Sequence, residues 1–73
     1  MKYLVIELQT NTNGSVGNIV WAFDERNEAE SKYHAVLASA AISGLPCHAA
    51  CLLDNTGKLL DRKAFERIEG NIE

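Results

Sequence analysis

The chain is poor in the features that commit a small protein to an obvious task. Of its 73 residues only one is proline and two are cysteine, and aromatic residues make up 7%. Two cysteines cannot supply the disulfide framework that staples many domains of this size. Ten acidic residues against seven basic ones leave no basic excess, so a dedicated nucleic-acid binder is disfavoured. No uninterrupted apolar stretch is long enough to span a membrane. Ala35 to Leu53 contains no Asp, Glu, Lys or Arg, but Ser43, Gly44, Pro46 and His48 break it and alanine dominates the rest. The apolar residues after Lys2 end at Glu7, too early for a secretory signal, so a cytoplasmic protein is expected. An apolar fraction of 47% with a net charge of −3 argues against disorder.

A chain of this length forms one domain, here residues 1–73, with a single core. Such a domain buries only about 60% of the surface its unfolded chain exposes. Without covalent staples, that small core favours self-association.

The opening reads as a hairpin. Residues 3–9 alternate, with Leu4, Ile6 and Leu8 on one side and Tyr3, Val5, Glu7 and Gln9 on the other. Residues 16–24 place Ile19, Trp21 and Phe23 on one side, and Asn18, Val20 and Ala22 on the other. Asn13-Gly14 between them suits a two-residue type I′ turn. That turn sets Leu8 against Ile19, Ile6 against Trp21 and Leu4 against Phe23, predicting one core face from all six. A slip of one residue would exchange the faces.

A helix is expected next, capped by Asn27 with Glu30 as its capping-box partner, Asp24 being the rival cap. Ala29, Tyr33, Val36, Leu37, Ala40 and Ala41 form its apolar stripe, and Glu28 with Lys32 a surface pair. Gly44 is placed as the left-handed terminator and Pro46 prevents continuation. Leu45–Leu53 reads as a strand that is apolar on both sides. Asp54-Asn55-Thr56-Gly57 suits a three-residue hairpin loop. Residues 58–68 fit either a strand or a helix, and the tight turn favours the strand. The expected fold is α+β: ββαββ, a four-stranded antiparallel sheet with one helix packed on one face.

Few residues suggest chemistry. Cys47 and Cys51 on a strand would share a face about 13 Å apart, too far for a disulfide or one metal ion, with His48 on the other side. Two small buried thiols and no metal site are the expectation. His34 paired with a cysteine lacks a third group to orient the imidazole, and Glu7 has no nameable partner, so a solvated face is expected for it. Asp24, Glu25, Glu28 and Glu30 suit a helix start and need no acid–base role. Asn13-Gly14-Ser15-Val16-Gly17 lacks the ending of a phosphate loop, and its glycosylation signal has no secretory context. No catalytic residue and no cofactor are expected.

Binding is the alternative to catalysis. The uncovered sheet face, with Tyr3, Val5, Val20 and Ala22, is the expected self-association surface of a homodimer, and a protein partner is a further expectation. The second reading is nucleic-acid binding through Lys58, Arg62, Lys63 and Arg67, with Phe65 among them for stacking. Interleaved Asp61, Glu66 and Glu69 weaken that field, and charges also protect an edge strand from unwanted pairing.

The runs YLVIELQTNTNGSVGNIV, NEAESKYHAVLASAA and LPCHAACLLDNTG resemble small, functionally uncharacterised proteins of prophage-like and other mobile elements in gut-type Gram-positive bacteria. Glu30-Ser31-Lys32-Tyr33-His34 is the most specific stretch, and the resemblance extends to about Gly57. It implies a cytoplasmic bacterial or phage accessory protein, without an activity or a site.

Overall fold

In the computed structural model of the chain, residues 2–67 are described. Strands β1 (Tyr3–Thr10) and β2 (Val16–Phe23) precede helix α1 (Arg26–Ile42), and strands β3 (Cys47–Asp54) and β4 (Leu59–Glu66) follow it. All neighbouring strands are antiparallel, in the order β2-β1-β3-β4. The fold is α+β with the expected ββαββ order, and within residues 58–68, read as either strand or helix, the strand Leu59–Glu66 forms, while Ile68 lies outside the described residues. Among the described residues, no helix is long and apolar enough to cross a membrane.

The first hairpin departs from expectation by one residue, and that residue reverses β1. Tyr3 opposes Phe23 and Val5 opposes Trp21, rather than Leu4 opposing Phe23. The cause lies in the turn. Gly14 N donates to Asn11 O at 2.9 Å and Asn11 N to Ser15 O at 2.8 Å, so the loop is the three residues Thr12-Asn13-Gly14. A type I′ turn needs positive φ at both central residues; here Gly14 alone has it, at 89°. The Asn13 side chain accepts from Ser15 N at 2.9 Å and from Ser15 Oγ at 2.7 Å, which holds this form. The second hairpin repeats the geometry as expected, with Gly57 N donating to Asp54 O at 3.1 Å and Gly57 at φ 90°.

With this register Val5, not Ile6, reaches the core beneath the helix. Val5, Ala50 and Leu52 meet Ala29, Tyr33 and Val36, and Trp21 and Phe23 flank them. The buried helix residues Ala29, Tyr33, Val36 and Ala40 recur at steps of three and four, the spacing that keeps one face inward. Alanines at both ends of that stripe let the helix lie close over β3 and β1. Tyr33 is buried, and that desolvation, with the nearby Asp61 carboxylate second, raises its phenol above the ordinary value.

The helix ends also differ from expectation. The N-cap is Glu25 and makes no side-chain capping bond, while Asn27 Oδ1 accepts from Glu28 N at 3.0 Å inside the first turn. Glu30 pairs with Arg26 at 2.9 Å instead of closing a capping box. At the other end Ser43 is the C-cap in an extended conformation, so Gly44 does not supply a left-handed terminator. The last carbonyls find a distant partner: Arg67 Nη2 donates to Ala40 O at 2.9 Å and to Ala41 O at 2.7 Å. A cation at a helix C-terminus is also favoured by the helix dipole.

Candidate functional site

The sheet has one covered face and one open face. Directly opposed residues in adjacent strands share a side, so the register assigns every position. The helix side carries Tyr3, Val5 and Glu7 of β1. The open side carries Leu4, Ile6 and Leu8, opposite Ala22, Val20 and Asn18 of β2 and opposite Leu53, Cys51 and Ala49 of β3. Arg62 opposes Cys51, Ala64 opposes Ala49 and Glu66 opposes Cys47. Among the described strand residues, Arg62 and Glu66 are the charged groups of this open side, one of each sign.

The residues expected to form a self-association face therefore divide. Val20 and Ala22 lie on the open side and are exposed, Val20 by 53%. Val5 is 0% exposed, and Tyr3, half-buried, packs against the same core. Neither can line an open surface. Leu4, Ile6 and Leu8, expected inside, take their place, because the three-residue loop turns β1 over. Cys47 and Cys51 are free thiols on this same side, each half-buried.

The four basic residues do not form one surface. Lys58 sits beside the second turn, and Arg62 lies on the open side. Lys63 and Phe65 face the helix side, the ammonium 5.5 Å from the ring centroid. Arg67 approaches the same ring at 5.9 Å but spends its guanidinium on the helix carbonyls.

Glu7 and His48 form a polar cluster that the sequence alone does not announce. Glu7 is 8% exposed and His48 4%. His48 Nε2 lies 2.5 Å from Glu7 Oε2, which also accepts from Gln9 Nε2 at 3.0 Å. His48 Nδ1 lies 2.9 Å from Ser43 Oγ, and that hydroxyl donates to Ala40 O at 3.3 Å. Glu7 therefore does not sit at a solvated face. The three-residue loop turns it inward, and diagonal neighbours across β1 and β3 bring it to His48. A three-residue reading of the loop would have turned Glu7 to the side of Trp21 and Phe23, but the pairing of β1 with β3 that brings it to His48 has no local signal in the sequence. The chain of contacts ties β1, β3 and the helix end together.

Beside this cluster is a cavity of about 160 Å³ lined by Glu7, Trp21, Lys32, Ala35, Val36 and Ser39. Lys32 Nζ lies 4.2 Å from the Trp21 ring centroid at its wall, a cation–π contact within the chain. His34 is exposed, its ring inclined at 63° to that of Tyr33 with the centroids 5.3 Å apart, and belongs to neither feature.

No protein-family model, curated protein or solved structure matches this chain.

Proposed function

We propose that this protein acts by binding rather than catalysis, as a self-associating interaction module whose homodimer forms through the open sheet face. The observation that carries the reading is the unequal cover of the sheet. One helix of 17 residues packs on one side, while Leu4, Ile6 and Leu8 at the centre of the other side stand between apolar neighbours. A single sheet with two apolar faces needs a second layer.

A second copy fits this face in size and charge. Four strands of eight residues present about 500 Å² in plan, from the ordinary strand spacing and rise. Two such faces approach the roughly 1,000 Å² that separates a specific interface from a chance contact. Arg62 and Glu66, of opposite sign on one strand, are self-complementary across a two-fold axis, where each residue of one copy meets the other residue of its partner. A nucleic acid would find no net positive charge on this side. A cytoplasmic accessory role for the dimer, on a mobile element, belongs to the same proposal and has no support beyond it.

Light scattering tests the reading. The wild-type chain is expected well above its 8.0 kDa monomer mass, and Ile6→Glu at half the wild-type mass with its far-ultraviolet spectrum retained. A folded Ile6→Glu protein with the wild-type mass would reject the face as the interface.

A further inference from the structure

We propose that β2 is a second pairing site, at which another copy of this chain adds its own β2 in antiparallel orientation to give one eight-stranded sheet. The pairing uses a strand edge and does not depend on the face contact described above.

The two edges of the sheet are built differently. β4 carries Asp61, Arg62, Lys63 and Glu66, and its register shifts between Leu52 and Leu53, leaving Leu60 as an extra residue. Charges and bulges of this kind protect an edge against pairing. β2, with the sequence VGNIVWAF, has no charge, no proline and no register shift over its eight residues. A long, regular, uncharged edge is a template for another strand.

The backbone groups on that edge can be assigned from the turn. Asn11 N donates to Ser15 O at 2.8 Å, which makes residues 11 and 15 a hydrogen-bonded pair. Antiparallel pairs alternate between bonded and non-bonded. Gly17, Ile19 and Trp21 therefore bond to β1, while Val16, Asn18, Val20 and Ala22 aim their N–H and C=O groups away from it. These same four residues carry their side chains on the open side. Val16 is 61% exposed and Val20 53%.

The geometry points to a copy of the same strand. Joining outward-aimed residues to outward-aimed residues pairs positions of the same face, so the two open faces become continuous and both helices lie on the opposite side. The symmetry axis is then normal to the sheet, and the contact is isologous. Antiparallel pairing sets the neutral Asn13–Ser15 turn of one copy beside the acidic Asp24–Glu25 end of the other. The two acidic ends stay about 26 Å apart, the length of the strand. Parallel pairing would bring them together.

Asn18→Pro is the test. It removes one outward N–H without touching the bonds to β1, and an edge strand tolerates proline at such a position. Light scattering over a concentration series is expected to give a limiting mass half that of the wild type. A mass–concentration curve that coincides with the wild type overturns the proposal. Amide exchange on the unmodified chain gives an independent reading: protection at Val16, Asn18 and Val20 should rise with protein concentration. Protection that stays constant overturns it equally. Failure of the face contact reads differently, because Ile6→Glu then keeps the wild-type mass whatever Asn18→Pro does.

Discussion

His48 Nε2 lies 2.5 Å from the carboxylate of Glu7, joining β3 to β1 beneath the end of the helix. Residues 41 positions apart thus share a site with little solvent. Removing one partner of a buried pair strands the other, at a cost of about 3–5 kcal/mol, whereas replacing both with apolar side chains is far milder. Glu7→Leu and His48→Leu should each lower the urea midpoint strongly, and the double variant should lose less than the two combined. A double-mutant cycle that closes to within about 0.5 kcal/mol would show that the pair contributes no coupling.

Val5 and Val20 are the same residue on adjacent strands with opposite fates. Val5 is 0% exposed under the helix and Val20 53% exposed on the open side. Val5→Glu buries a carboxylate without a partner and should abolish the folded far-ultraviolet spectrum. Val20→Glu should leave the chain folded and halve its solution mass. Equal effects of the two substitutions on folding would contradict the register.

Much of the fold was legible because local signals agreed. Alternation marked the strands, the Ala29–Tyr33–Val36–Ala40 stripe marked the helix, and Asp54 with Gly57 marked the second turn. The first turn was ambiguous. Asn13-Gly14 matches a two-residue loop, yet Asn11 with Gly14 matches the same three-residue pattern as Asp54 with Gly57. β1 offers apolar residues on both sides, so hydrophobicity could not decide between Leu4, Ile6 and Leu8 or Tyr3 and Val5 as the inward set. The choice moved the core, the open face and Glu7 together. The pairing of β1 with β3 and the reach of Arg67 to the helix end are long-range contacts that no short window of sequence specifies.

The second turn carries a pH dependence. Asp54 Oδ1 accepts from Thr56 Oγ1 at 2.6 Å, from Thr56 N at 2.8 Å and from Lys58 N at 3.0 Å. These bonds, that of the Thr56 hydroxyl foremost, hold its carboxyl below the usual aspartate range. A depressed folded value means that the contribution is complete above the unfolded pKa of about 3.9 and is lost as pH falls through the folded value. The Tm difference between wild type and Asp54→Ala should therefore shrink as pH drops from about 5 to about 2. A constant difference would show that ionised Asp54 does not hold the turn.

Cover of the open face on association is read most closely at Cys51. This thiol stands on β3 between Ile6 and Arg62. The measurement is its alkylation rate against protein concentration, read by peptide mass so that Cys47 is scored separately. The rate at Cys51 is expected to fall as concentration rises through the association transition. A rate independent of concentration, in a sample whose mass doubles over the same range, would place the interface elsewhere and contradict cover of the open face.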